Sequence, residues 1–532
     1  MNDGRGANPF SMMLGLCLAL YAIISITLTH GNSISELCFM LMLGGLLMSV
    51  AAPKPAFTLW IISSGYIDLV KRLMVLTGRV NQSDLYYVLG IHPLMLGGIT
   101  LSLMVSGMMG RNRLGTADLQ RFAAALGFMA LAAVMSGREK GFHIGSMAAD
   151  VANTGLYAML LFVVPLLFKD MEHVLRLLRL VVITYTPVAI YGIIQQFVGF
   201  QDFEIEYLLT GLSIEVKQLM TNEVRAFSTL NSPTALGFGC GACIIFCYIL
   251  GWHRDQKAAR FQFPKLIILL MMAAFLGGLA SATMRSAFVL LPVGLLGSWL
   301  FSARSRTRLF YGTISLGFVA LVASSKWLLQ VLPQAMATMY DLSGGSAFMS
   351  QMLRVGTYYE RLMGFSNCLA NPAAYTLFGY GPDRGRDYGD EFMNHDPLST
   401  ILIRYGAPAL FITILALGLA LRLAHRSVLR LPEGGSRRAG SLLLSVPLGF
   451  MVATVLQGNV FGTFPLNLMT YLCLGLIQTL GCCVQEAERR QAARPAPLDF
   501  QPPHPASMDR PRRLRPSAPT PFTAGRRPFT PP

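Results

Sequence analysis

The sequence predicts an all-α, polytopic integral membrane protein with about 12–14 transmembrane helices and one large helical loop on the outer face. Composition is the first reason: 53% of residues are hydrophobic and 13% charged, with a mean hydropathy of +0.51, whereas soluble domains carry roughly 25% charged residues. Apolar runs are the second, since stretches near the roughly 20 residues that span a bilayer as helix recur from Phe10 to Cys483. The third is charge placement, with Lys and Arg gathered in alternate short connections, as topology requires.

The runs fall at 10–29, 34–52, 57–76, 86–109, 120–136, 150–168, 178–198, 233–251, 264–281, 284–302, 309–325, 397–421, 441–459 and 462–483. The third carries Asp68, Lys71 and Arg72, which suit a re-entrant or surface helix as well as a span. Six regions follow: N-terminal membrane helices over 1–199, an outer loop with Arg225 over 200–232, and central membrane helices over 233–325. A large loop over 326–396, C-terminal membrane helices over 397–484 and a tail over 485–532 complete the chain. From Glu486 onward the tail holds nine Arg, four acids and twelve Pro. Such a segment cannot bury a core and reads as a disordered cytoplasmic tail suited to anionic lipid.

Counted from an inside N-terminus, the basic clusters Arg111/Arg113/Arg121, Lys169/Arg176/Arg179, Arg254/Lys257/Arg260/Lys265, Arg304/Arg306/Arg308 and Arg422/Arg426/Arg430/Arg437/Arg438 fall on one side. The net charge of +16 is thereby explained by topology, and no nucleic-acid partner is implied. Residues 200–231 hold five acidic and two basic side chains, and 326–396 hold seven acidic and five basic, so both long loops are expected outside. No cleavable signal peptide is evident at the start, and the first run is expected to stay as a helix. Of nine Cys, only Cys368 falls in an outward loop, so no disulfide framework is expected. Cys240, Cys243 and Cys247 share a helix face without a His or carboxylate to complete a ligand set. They read as packing residues, and no metal site or cofactor is expected.

Candidate chemistry collects on the outer face. In Glu223–Gly237, EVRAFSTLNSPTALG, Pro233 at a helix start needs no function. Arg225 there either snorkels to lipid phosphate or serves an anionic substrate. Arg285 stands in the apolar hairpin LASATMRSAF beside Ser281, Thr283 and Ser286, where a charge is costly and usually faces a partner or a water-filled cavity. The loop of about 70 residues is long enough to be functional or disordered. Within it, Met352–Ala370 has helical spacing, and Arg354 and Arg361 lie two turns apart on one face. They form either a solvated edge with Glu360 or a pair of planar forks for phosphate. Gly379–Tyr380–Gly381–Pro382 is a turn signal. Beyond it, His395 precedes the next span with Asp390, Glu391 and Asp396 close in sequence, and an imidazole titrates near neutral pH. His395 is therefore the candidate general base.

From Arg225 to Leu421 these features resemble the O-antigen ligase and O-antigen polymerase superfamily of bacterial envelope enzymes. The resemblance rests on order and sidedness: Arg225 before Ser232–Pro233, Arg285 at a membrane hairpin, then Arg354 or Arg361, Gly379 with Gly381, His395 and Gly406. Ligase-type members often place Asn directly after the His, whereas this chain has Asp396 there and Asn394 before it. The resemblance implies glycosyl transfer from a polyprenyl-diphosphate-linked glycan at the periplasmic face of the inner membrane, with both termini cytoplasmic and neither metal nor nucleotide sugar required. Arg225, Arg285 and one of Arg354 or Arg361 would stabilise charge developing on the diphosphate. His395 would take the proton of the attacking hydroxyl in an inverting displacement.

The implied partners are the lipid-linked donor, a glycan acceptor and membrane lipid, with a chain-length regulator and a flippase as candidate protein partners. About 14 spans and the basic tail favour polymerisation of exopolysaccharide or O-antigen repeats over the ligase pattern of about twelve spans. Transfer to lipid A core or to protein stays open. A lipid-linked glycan transporter is the rival from another class, and it should show internal repeats and interrupted helices; no convincing repeat is found.

Overall fold

In the computed structural model, the described residues are 33–76, 82–110, 114–140, 142–210, 224–252, 263–301, 309, 313, 368–371, 376–380, 397–457 and 463–492. Every regular element among them is helical, and the chain is an all-α multi-pass membrane protein. Among the described residues, six helices are long and apolar enough to cross a membrane, or seven if one bent pair counts as a single span. The expected runs 10–29 and, but for Leu309 and Thr313, 309–325 lie outside the described residues.

Helix α1 spans Ser33–Ala51, α2 Pro53–Ser64, α3 Ile67–Leu76 and α4 Gln82–Met108. The stretch 57–76 is therefore not one helix. It breaks at Gly65–Tyr66, and the two pieces, of 12 and 10 residues, are each too short to span alone. Buried groups fix the break: the Thr229 hydroxyl donates to the Gly65 carbonyl at 2.6 Å, and the Tyr66 hydroxyl to the Thr184 carbonyl at 3.0 Å.

Helix α5 covers Thr116–Lys140 and α6 Ile144–Asn153; a 3₁₀ turn at Gly155–Met159 then leads into α7, Leu160–Leu167. The run expected at 150–168 is thus bent, by 45° at Thr154. Helix α8, Met171–Val198, starts where the Asp170 carboxylate accepts the His173 N–H at 2.8 Å, an N-cap that satisfies a donor of the first turn. Gly199, at φ +90°, ends it, and α9, Asp202–Leu209, follows.

Helices α10 (Pro233–Trp252), α11 (Lys265–Ser281), α12 (Arg285–Phe301), α13 (Pro397–Tyr405), α14 (Ala407–Arg430), α15 (Gly435–Gln457) and α16 (Leu466–Ala492) complete the set. The run expected at 397–421 is divided by Gly406, at φ +87°. The last helix continues nine residues beyond the apolar run that ends at Cys483, through QEAERRQA, whose Glu, Gln, Arg and Ala are good helix formers. Helix α10 is the hub: it packs on α8, α11, α12 and α15, and Ala235, Phe238, Cys243 and Phe246 on it are fully or almost fully buried. Cys240 and Cys247 are buried in the same core, and the Cys240 sulfur lies where a Cβ on Gly278 of α11 would touch it, as packing residues do.

Candidate functional site

Four irregular stretches of backbone meet at one end of the bundle. They are the break at Gly65–Tyr66, the bend at Thr154, the loop 224–232 and the turn before α16 at Thr463–Phe464. Irregular backbone inside a membrane protein is tolerated where it is buried or lines a cavity. Here it does both. A cleft of about 460 Å³ is lined by Ile67, Asp68, Asn153, Thr154, Asn231, Ser232, Thr463 and Phe464, with His92 and Tyr207 beside them. Its volume is that of a small-molecule site, about 300–1,000 Å³. The helix ends that contribute are those expected from the charge pattern to face outward.

The loop 224–232 is anchored from several sides. Ala226, Phe227, Ser228, Thr229 and Leu230 are all buried, and Ser228 takes a left-handed φ of +55°, an uncommon conformation for a residue with a Cβ. The Gln195 side-chain oxygen accepts the Phe227 N–H at 3.1 Å and the Ser228 N–H at 2.6 Å. On the opposite side, the Arg72 guanidinium donates to the Ser228 carbonyl at 2.6 Å and to the Leu230 carbonyl, and stacks 4.4 Å over the Phe227 ring. After the loop, the Ser232 hydroxyl accepts the Ala235 N–H at 3.3 Å and Pro233 opens α10. Pro233 thus has a purely local role, as a proline in a first turn should.

Arg72 is 2% exposed and its acidic partner Glu204, 3.7 Å away, is fully buried. Glu204 also accepts from Gln195, from the Tyr191 hydroxyl at 3.1 Å and from the Gln201 N–H at 3.1 Å. A buried ion pair survives only when further hydrogen bonds satisfy both ions, and this one meets that condition. Its work is to pin the loop.

The expected site residues are placed unequally. Arg225 sits in the anchored loop, and the next residue, Ala226, donates its N–H to the Ser281 carbonyl at 3.1 Å, four residues before Arg285 at the start of α12. The loop bearing Arg225 and the hairpin bearing Arg285 are thereby joined. Arg225 does not line the cleft. Arg354, Arg361 and His395 lie outside the described residues. Of the Gly379–Gly381 turn, Gly381 lies outside the described residues; Gly379, at φ +71°, and Gly406 lie in backbone contact, and the Tyr380 N–H donates to the Ile403 carbonyl at 2.8 Å. This seats the turn 376–380 on α13, whose N-terminus begins two residues after His395.

Sequence reading noticed Asp68, Lys71 and Arg72 only as charges weakening a span, and did not single out His92, Glu204 or Tyr207. A signal existed: Asp68, Lys71 and Arg72 stand at i, i+3 and i+4, one helix face, in an otherwise apolar run. Such charges in a membrane segment usually face the bundle interior.

Fold and site together define a class: a multi-pass helical membrane protein with a polar cleft, lined by interrupted helices, at one end of its bundle. No family model, curated protein or solved structure compared with the chain matches it.

Proposed function

We propose that the chain is a membrane glycosyltransferase that polymerises polyprenyl-diphosphate-linked oligosaccharide repeats at the periplasmic face of a bacterial inner membrane. The observation that carries the reading is the junction of the Arg225 loop with the Arg285 hairpin through the Ala226–Ser281 hydrogen bond. Two segments 60 residues apart in sequence, one bearing Arg225 and the other Arg285, are joined by this bond. Two guanidinium forks are suited to a diphosphate. The seating of Gly379 against Gly406 adds support, because it ties the large loop to the helix that His395 precedes.

In this mechanism the acceptor hydroxyl attacks the anomeric carbon of the lipid-linked glycan. The new C–O bond forms as the bond to the diphosphate breaks, with inversion. His395 takes the hydroxyl proton, and Arg225, Arg285 and one of Arg354 or Arg361 neutralise the departing polyprenyl diphosphate. Preorganised donors of this kind are each worth on the order of 10²–10³-fold in rate, and a positioned general base about 10²–10⁴-fold.

A second reading, a lipid-linked glycan transporter, is favoured by one specific observation. A membrane span is bent at Thr154 and a helix pair is broken at Gly65–Tyr66, and Thr154 and Ile67, the residue after the second break, line the cleft, as interrupted helices do in transporters. One experiment separates the readings. In a strain lacking the gene, a polymerase leaves single repeats on the carrier at the periplasmic face, a ligase leaves finished polymer on the carrier, and a transporter leaves repeats on the cytoplasmic side. Complementation with Arg225→Ala, Arg285→Ala or His395→Ala, with membrane insertion checked by immunoblot, is expected to give no polymer on a gel. Wild-type polymer length from His395→Ala would remove that residue from the mechanism.

A further inference from the structure

The cleft contains two polar groups that the fold leaves unused. Asp68 is 6% exposed and His92 3% exposed. The Asp68 Oδ2 and the His92 Nδ1 find no hydrogen-bond partner among the described residues, although the other imidazole nitrogen of His92 is 2.8 Å from the Ser63 hydroxyl. A buried polar atom without a partner costs about 1–3 kcal/mol, and more when charged, so such atoms call for an explanation. Both belong to side chains lining the same cavity, and a ligand completing their hydrogen bonds would remove the cost.

Charge decides what kind of ligand. Arg72 is already committed to two carbonyls and to Glu204, and Lys71 lies 5.8 Å over the Tyr207 ring. Against these cations stand Asp68 in the wall and Glu204 behind it, so the four charges cancel. A phosphate would meet the buried Asp68 carboxylate, whereas a hydroxyl donates to it. The rest of the lining is mixed in the manner that suits a pyranose. Asn153, Thr154, Asn231, Ser232 and Thr463 offer polar edges, while the rings of Tyr157, Tyr207 and Phe464 offer apolar faces for the C–H side of a sugar.

We infer that this cleft is a carbohydrate-binding site, taking an uncharged glycosyl unit whose hydroxyls bond to Asp68 and His92. The loop that carries Arg225 forms part of its wall through Phe227, Asn231 and Ser232, but Arg225 itself does not line it. This assignment rests on the proposed function in one respect only, that the sugar bound would be part of the glycan being extended.

The test is saturation-transfer NMR on the full chain in detergent micelles, with the methyl glycosides of glucose, galactose, mannose, rhamnose and N-acetylglucosamine as probes. Wild type is expected to transfer magnetisation to at least one of them. Asp68→Asn keeps the shape but loses the anionic acceptor, and is expected to weaken binding tenfold or more. Thr154→Phe, at an exposed lining position, is expected to abolish binding by filling the cleft without disturbing the core, and it decides the matter should Asp68→Asn not remain monodisperse. No transfer from wild type to any probe, or equal transfer from wild type and Thr154→Phe, overturns the inference. The readout uses no lipid-linked donor. Binding lost in the variants therefore upholds the cleft even if no polymerase is found, and absent binding overturns it even in a proven polymerase.

Discussion

Arg72 and Glu204 form a buried ion pair, and a large single-residue effect is expected at either. Each is buried, and removing one partner leaves the other as an uncompensated charge, at a cost of about 3–5 kcal/mol. Arg72→Ala should therefore lower the melting temperature of the detergent-solubilised protein sharply, because it also frees the Ser228 and Leu230 carbonyls and uncovers Phe227. Arg72→Leu combined with Glu204→Gln removes both charges and keeps a side-chain acceptor for Gln195 and Tyr191. It is expected to melt well above Arg72→Ala by fluorescence-detected size exclusion after heating. Equal melting of the two would show that the ion pair does not hold the loop. This pair was only half legible in the sequence. Arg72 stands out within an apolar run, whereas Glu204 sits in an ordinary acidic loop, and nothing local says that the two meet across 132 residues.

At the scale of elements, breaks matter more than spans. Gly406 separates α13 from α14 at φ +87°, and a Cβ there would collide with the Leu377 carbonyl, just as one on Gly379 would collide with the Arg404 carbonyl. A left-handed backbone costs an L residue about 1–2 kcal/mol before any collision. Gly406→Ala and Gly379→Ala should each destabilise the protein by more than that, and should detach the turn 376–380 from the end of α13. Gly418 makes the contrast: it lies inside α14 with open space around it. There Ala replaces Gly in a helix interior and should be neutral or stabilising by up to about 1 kcal/mol. Thermal melting of the three variants checks the ranking. The sequence marks Gly379 and Gly406 as permissive points, but that they touch each other is decided by how the turn packs on α13.

For the whole molecule, the distribution of Lys and Arg predicts which loops cross to the outside. Alkaline phosphatase fused after residue 212 should be active if the loop over 200–232 faces outward as its charge balance predicts, whereas the same reporter fused after Lys257 should be inactive. The opposite pattern would invert the topology and move the cleft to the cytoplasmic side. A reporter of this kind reads sidedness directly, independent of the chemistry proposed for Arg225, Arg285 and His395.

The sequence by itself determined that this is a helical membrane protein and where several of its membrane helices lie, and it put Arg225 and Arg285 in segments expected to share one face. Hydrophobic run length and charge asymmetry are local sums along the chain, and a bilayer turns them into structure with little help from tertiary packing. Only the tertiary structure decided that the stretch 57–76 breaks at Gly65, that the helix beginning at Ile144 bends at Thr154, and that Asp68, Arg72, His92 and Glu204 surround or support one cleft. Those outcomes depend on contacts between distant segments, such as Thr229 to Gly65 and Arg72 to Ser228. A buried polar group declares its cost in the sequence, but its partner is fixed only when the helices pack.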